Sequence, residues 1–462
     1  MYLHALQMVQ LIYNSIIMKE LFSLVIPTMW RSPLILEMLP IYQTCTMVAE
    51  VIIIDNDPGA RPSFNFKKLS KVSVHTRGHN IFVNPAWNWG ASLAKHTITL
   101  VNDDITITDI GWLLSLISMT NYDIVGARIN DIGVADATNG VPIVDAPQRF
   151  PANSYGCFMV VRKYHYIPEQ IQIHAGDNHL FYSVTRRGIM HTGEHIHSNP
   201  SVTIKSDPVF TQISFRDRRI YAAFRQPSRF NIIIRTSNRP NYFAQCIKSI
   251  RKYAPHAMLH ITIDNEPDLL YVAENCKGLN WRFYLVNREV VQNFCSKVPI
   301  TRRPFIYNHY INIVRPFLHG WCMILDDDDQ LVNRPQYYND KRAIMLHRVD
   351  VGNRIVPPDN LWEKTPMLNN ISALGIIFHH SQMVDWNPQR GGDFDFISNL
   401  YSRFKPVWIN KLVATSQTGG NFGKRNDIAP KGEVLRTEVI RQLTDQKSQV
   451  EIRNISVGEA CL

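Results

Sequence analysis

Apolar and polar positions follow a pattern that this chain writes twice. The first half opens with the strand-length apolar run Phe22-Ser-Leu-Val-Ile-Pro27, which ends at Thr28. A helix-like segment over residues 33–47 follows. A second run, Val51-Ile-Ile-Ile54, then stops abruptly at Asp55-Asn56-Asp57-Pro58-Gly59. Continuous apolar strands alternating with helices predict a parallel sheet covered on both faces. Polar residues directly after such strands lie at their carboxyl ends, where open α/β sheets bind ligands.

The second half repeats the plan. Phe230-Asn-Ile-Ile-Ile234 leads into Arg235-Thr236-Ser237-Asn238-Arg239-Pro240, a helix through Ile250, and His260-Ile-Thr-Ile263, which ends in Asp264-Asn265-Glu266. From Thr28 to Asp55 is 27 positions, and from Thr236 to Asp264 is 28. Each half next has a strand ending in aspartates, Thr99-Leu-Val-Asn102-Asp103-Asp104 and Cys322-Met-Ile-Leu325-Asp326-Asp327-Asp328-Asp329. Each then has a further apolar strand, Gly156-Cys-Phe-Met-Val-Val161 and Gly375-Ile-Ile-Phe378, and a Gly-Asp step opening a helix, Gly176-Asp177 and Gly392-Asp393. The order predicts a duplicated α/β chain. It comprises an apolar N-terminal extension over 1–20, one domain over 21–215, a polar Arg-rich linker over 216–229, a second domain over 230–430 and a tail over 431–462.

Length and composition narrow this little. At 462 residues the chain exceeds one ordinary core, and 45% hydrophobic with 19% charged residues is a soluble globular composition. The formal charge of +10 allows an anionic partner, but the basic residues fall singly or in pairs, so no specific nucleic acid is expected. Seven scattered cysteines without a C-x-x-C pair fit a reducing, cytoplasmic setting rather than a disulfide framework or zinc site. The N-terminal apolar segment is interrupted by Gln7, Gln10, Asn14 and Ser15, which leaves at most weak peripheral membrane attachment and makes Met18 a natural start.

Aspartates coming straight off a buried strand are costly unless something cationic meets them. Four consecutive carboxylates, with few basic neighbours in sequence, point to a hard divalent cation, manganese or magnesium, which also bridges phosphate oxygens. His195-x-His197 on a strand would place both rings on one face and add metal ligands beside Asp103 and Asp104. His379 and His380 end a strand and are candidates to touch a sugar. The segment Gly419-Gly420-Asn421-Phe422-Gly423-Lys424-Arg425 reads as a loop able to bring a cation over a diphosphate.

In order and spacing these motifs resemble the large inverting GT-A glycosyltransferase family that includes cellulose and chitin synthases. Asn84-Pro-Ala-Trp-Asn88-Trp-Gly90 is similar to that family's N-x-x-x-A-x-N-x-G segment. The resemblance covers residues 20–200 and 229–425. It implies two tandem Rossmann-like GT-A domains acting on nucleotide sugars, UDP-linked, with a glycan or glycoconjugate acceptor and inversion at the anomeric carbon. It implies that Asp55 and Asp264 hold the uracil or ribose, with Thr28, Thr236 and Arg239 beside the nucleotide, and that Asp103, Asp326 and Asp327 also bind the donor. Asp103 or Asp104, and Asp326 with Asp328, match the D-x-D metal motif, and Asp177 and Asp393 match the base that deprotonates the acceptor hydroxyl.

Two other classes share parts of the pattern. A sugar-nucleotide nucleotidyltransferase has a similar core but would need a glycine-rich phosphate loop after the first strand. Neither Thr28-Met-Trp-Arg-Ser nor Thr236-Ser-Asn-Arg-Pro contains glycine. A carbohydrate- or nucleic-acid-binding protein with a degenerate site is permitted by the basic charge and the many Tyr and Trp residues.

Overall fold

The computed structural model of the chain describes residues 20–128, 143–146, 156–198, 207–225, 229–302, 304–352 and 354–416. The N-terminal extension with Met18, the loop from Gly419 to Arg425 and the C-terminal tail lie outside them. Two compact units divide between Ala223 and Phe224.

In the first unit the Val- and Ile-rich runs form β1 (Phe22–Thr28) and β2 (Val48–Asp55), joined by β3 (Val72–Thr76) and β4 (Thr97–Val101). All four pair in parallel, with β1 between β2 and β4. A short β5 (Ile105–Ile107) follows β4, then β6 (Ile124–Arg128), β7 (Ile143–Asp145), β8 (Phe158–Val161), β9 (Arg187–His191) and β10 (Ile196–Ser198). The sheet order is β3-β2-β1-β4-β8-β6-β9-β7, while β5 and β10 form a separate pair. Every residue of β1 is buried, and Ile35, Met38, Leu39 and Tyr42 of the helix Leu34–Thr44 pack in the same core.

The second unit runs the same course. Its strands are β11 (Phe230–Thr236), β12 (Met258–Ile263), β13 (Asn280–Leu285), β14 (Trp321–Ile324), β15 (Asp329–Leu331), β16 (Ala343–Val351), β17 (Ile355–Val356), β18 (Ile376–His379) and β19 (Lys405–Ser416). The order β13-β12-β11-β14-β18-β16-β19 matches the first seven strands of the first unit place for place. The two units thus share one mixed α/β, Rossmann-like topology.

Two expectations change. The sheets are mixed rather than mostly parallel, because β8 runs antiparallel between β4 and β6, as β18 does between β14 and β16. This has a use: the Asn102 amide donates to the Cys157 carbonyl at 2.9 Å, so β8 starts beside the end of β4 and brings Gly156 and Cys157 to the carboxyl edge. The expected linker over 216–229 is instead largely helix, Pro208–Phe224. Phe210, Ser214, Asp217 and Phe224 are buried on one face of it, a helical spacing that the run of arginines obscures.

Candidate functional site

At the carboxyl edge of the first sheet, β1 ends in Thr28, whose hydroxyl donates to Asp103 Oδ2 at 2.6 Å. Two residues on, Trp30 takes a left-handed backbone with φ of 59° and turns its indole N–H to Asp55 Oδ1 at 2.9 Å. Asp55 is fully buried, and its other oxygen accepts from Arg61 Nε at 2.6 Å. Both oxygens expected to meet uracil or ribose are therefore already engaged. Burial pushes the Asp103 carboxyl up to about 6, even though the Thr28 hydroxyl holds it down, and burial raises Asp104 as well. Asp104 Oδ1 is buried without a hydrogen-bond partner.

The Gly176 step opens the helix Gly176–Tyr182 and presents Asp177 to the same region. The Cys157 thiol, driven to about 12 by burial and by both Asp104 and Asp177, lies within the field of the two carboxylates. Asp177 is itself raised by burial and held down by its own helix amides and His174. Two asparagines of the helix Val83–Leu93 fix the approach to this step. Asn84 Nδ2 donates to the Ile171 carbonyl at 3.1 Å. Asn88 bonds both backbone groups of Ile167, at 2.7 and 2.9 Å.

The second unit builds the same frame from different neighbours. In the helix Tyr307–Val314, Asn308 Nδ2 donates to the Gln389 carbonyl at 2.9 Å, and Asn312 bonds both backbone groups of Trp386, at 3.0 and 2.8 Å. Asn308 and Asn312 thus repeat Asn84 and Asn88. They escape sequence reading because Asn-His-Tyr-Ile-Asn lacks the Ala and Gly of the first copy; a search for the bare Asn-x-x-x-Asn spacing ahead of the aspartate strand would find them. Asp393, on the first turn of the helix Gly392–Arg403, is raised by burial and held down in part by Arg235. Asp264 Oδ2 accepts from the Tyr310 hydroxyl at 2.9 Å, and its Oδ1 is buried without a partner. Thr236 hydrogen-bonds the Tyr271 hydroxyl at 2.8 Å.

Each glycine is required by its asparagine. A Cβ on Gly176 would stand 2.1 Å from Asn84 Oδ1, and one on Gly392 would stand 2.3 Å from the Asn387 carbonyl and 2.7 Å from Asn308 Nδ2. Because Asn84 is tied to a carbonyl it has no easy retreat. Gly176→Ala is expected to cost roughly 1–3 kcal/mol through overpacking, read as faster amide exchange over the helix Gly176–Tyr182 with slower turnover. Unchanged exchange would show that the loop yields freely.

Strand register aligns the two aspartate groups. Phe22 lies opposite Thr97, and Phe230 lies opposite Trp321. Counting outward, Asn102, Asp103 and Asp104 correspond to Asp326, Asp327 and Asp328, while Pro27 and Arg31 correspond to Arg235 and Arg239. In the second unit Arg235 donates through Nε to Asp326 Oδ1 at 2.7 Å, reaches Oδ2 through Nη2, and gives Nη1 to Asn308 Oδ1 at 2.9 Å. Arg239 pairs with Asp327 Oδ1 at 2.8 Å and with Asp328. In the first unit Arg31 lies over the Phe210 ring instead. The few basic neighbours in sequence thus understate the positive charge at the second cluster, whose partner Arg235 is 91 positions away.

A divalent cation fits the two units differently. Asp103 and Asp104 present two carboxylates with a buried orphan oxygen and no paired cation among the described residues. Magnesium or manganese characteristically uses one or two carboxylates plus substrate phosphates. Asp326 and Asp328 are occupied by guanidinium groups and do not fit the ion as they stand. The two histidines are not arranged as expected. His195 sits in the 3-10 turn Gly193–His195, bonded to Thr108 at 3.2 Å, and only the exposed His197 lies on β10, so they do not share a strand face. Among the described residues, no three His, Cys, Asp or Glu side chains gather to hold a metal. His379 lies opposite Trp321, at the start of β14 and so at the end away from the aspartates. Burial pushes Asp327 up to about 8, with Arg239 opposing.

Among the described residues no helix is long and apolar enough to cross a membrane. No protein-family model matches the chain, and no curated protein matches its sequence. Solved structures do match. TarS of S. aureus is similar at 13% identity with a TM-score of 0.30, over 50% of this chain and 41% of TarS. A mycobacterial protein is similar at 14% identity with a TM-score of 0.28, over 42% of this chain and 69% of that one. The chain thus spans less than half the length of TarS.

Proposed function

We propose that the chain is a nucleotide-sugar-dependent glycosyltransferase with one transfer site in each unit. The observation that carries this reading is the recurrence, at the carboxyl edge of both sheets, of one constellation: a threonine, an aspartate after the second strand, an aspartate cluster, an Asn-x-x-x-Asn helix and a Gly-Asp helix start. Asp177 and Asp393 would each take the proton of an acceptor hydroxyl as it attacks the anomeric carbon from the face opposite the leaving diphosphate. That geometry gives inversion. Asp264, with one oxygen unpartnered, is the better placed of the two aspartates to meet the base or ribose of a UDP-linked donor. Asp103 and Asp104 would hold a manganese or magnesium ion, whose charge offsets that of the departing diphosphate. A glycan or glycoconjugate is the acceptor class. The absence of glycine from residues 28–32 and 236–240 weighs against a nucleotidyltransferase.

The test is release of UDP from a panel of UDP-sugars by the purified chain, with and without glycan acceptors. No release from any donor, together with tight and salt-steep DNA binding, would replace this reading with that of a binding protein. Chelator is expected to stop the transfer that depends on Asp177, and restored manganese to recover it. Turnover at that site in chelator, with metal loss verified, would remove Asp103 and Asp104 from the role.

A further inference from the structure

We propose that Arg235 and Arg239 are the resident cations of the second unit, standing where the first unit takes a divalent metal, so that the second unit binds no divalent cation while these side chains remain. The assignment of a metal to the first unit rests on the transferase reading above; the statement about the second unit rests on its own geometry. Arg235 takes both oxygens of Asp326 and joins them to Asn308, and its guanidinium carbon lies 5.7 Å from the Trp386 ring centre. That ring in turn stacks on Phe396, with centroids 4.7 Å apart and planes 6° from parallel. Arg239 spans Asp327 and Asp328 and lies 5.0 Å from the Tyr242 ring. Both cations are thus seated on aromatic faces and on carboxylates together, an arrangement that favours guanidinium over a free side chain.

The first unit is the internal comparison. With Pro27 in place of Arg235, the oxygen equivalent to the one Arg235 reaches on Asn308, Asn84 Oδ1, is fully buried and has no partner. Asp104 Oδ1 is likewise orphaned, while Arg31 points to Phe210. Asn84 Oδ1 and one oxygen of Asp104 are unpaired in the first copy where Asn308 Oδ1 and Asp328 meet arginines in the second, although Asp327 Oδ2 of the second copy is itself buried without a partner. An unpaired buried acceptor is costly, so a cation from solution would complete the first copy where Arg235 and Arg239 supply the positive charge in the second.

Manganese titration of the full-length protein, followed by electron paramagnetic resonance of the free ion, tests this without any sugar donor. Asp328→Asn is expected to leave the number of bound ions unchanged, and Asp104→Asn to remove one. Arg235→Gln with Arg239→Gln is expected to add one site, with affinity at Asp326 and Asp328 roughly 10–10³-fold higher than in the parent, the range over which a neighbouring charge alters a carboxylate's protonation. Arg239→Gln alone, at a partly exposed position, gives the milder version should the double variant fold poorly. Loss of a bound ion in Asp328→Asn would overturn the proposal, as would a folded arginine variant that gains none. A parent protein that binds no manganese, beside an arginine variant that gains one ion, would uphold the proposal and remove the metal from the first unit. UDP release remains the separate test of the transferase reading.

Discussion

Asp393→Asn is expected to remove one sugar transfer and spare the other, and Asp177→Asn is expected to do the reverse. Each aspartate sits at the same step of its own unit, after a left-handed residue, Ala175 with φ of 64° or Gly391 with φ of 76°. Each is held up by an asparagine pair, and each is raised by burial above the ordinary carboxylate range. A carboxyl raised in this way is a stronger proton acceptor once ionised, which suits the task assigned to it. Asparagine keeps the shape and removes only the basicity, so the frame should persist. Loss of a general base typically slows its reaction by about 10²–10⁴-fold. The surroundings differ: Asp177 faces His174 and Cys157, and Asp393 faces Arg235 and Asp326. Different walls select different acceptors, because a site built around particular hydroxyls rejects sugars that leave its polar groups unpaired. Product analysis by mass spectrometry in each variant makes the check. If either substitution stops both transfers in a folded protein, the units share one reaction. If only Asp393→Asn has an effect, the first unit binds rather than catalyses.

Much of this arrangement can be read from the chain before its fold is seen. The strands Phe22–Thr28 and Phe230–Thr236 are marked by continuous apolar runs, and the aspartates that follow β4 and β14 by an abrupt change of polarity. Such signals are local. What escapes is whatever depends on distant partners. Arg235 and Asp326 meet only because β11 and β14 are neighbours in the sheet, and nothing near either residue announces the pair. The same holds in part for Asp55, one of whose oxygens is claimed by Trp30, 25 positions back and just past the neighbouring strand, while the other is taken by Arg61, six positions on. The D-x-D equivalence is also a matter of register: Asn102 stands where Asp326 does, so the first copy has Asn-x-Asp at the corresponding places. Composition misleads at Pro208–Phe224, where three arginines within residues 216–219 read as linker and conceal one buried face. His195 and His197 fail as a pair because a 3-10 turn breaks the alternation that a strand would impose.

Asp217→Ala is expected to free residues 172–174, and with them the approach to Asp177. Asp217 is fully buried in the helix Pro208–Phe224, and its Oδ2 accepts from three successive backbone amides, those of Gln172, Ile173 and His174, at 2.9, 2.6 and 3.0 Å. Its other oxygen meets Arg216 at 3.1 Å. Burial outweighs these partners and leaves the carboxyl above its usual range, so the ion pair is no strong source of net stability. Removing it is another matter. Alanine leaves three amides without their acceptor and Arg216 with only Gln172 Oε1, at 2.6 Å, and breaking a buried pair in this way costs roughly 3–5 kcal/mol. With two units in the chain a single unfolding midpoint would blur the effect, so amide exchange over residues 172–174 is the better readout. Exchange there should accelerate roughly 10²–10³-fold, since 1.4 kcal/mol corresponds to a factor of ten, while the second unit stays as protected as before. Asp217→Asn, which keeps one acceptor oxygen, should fall between the two. The transfer assigned to Asp177 should weaken in step with the loss of protection, and the one assigned to Asp393 should not. Unchanged exchange in Asp217→Ala would mean that water or neighbouring groups satisfy these amides, and that this helix does not hold the base in place.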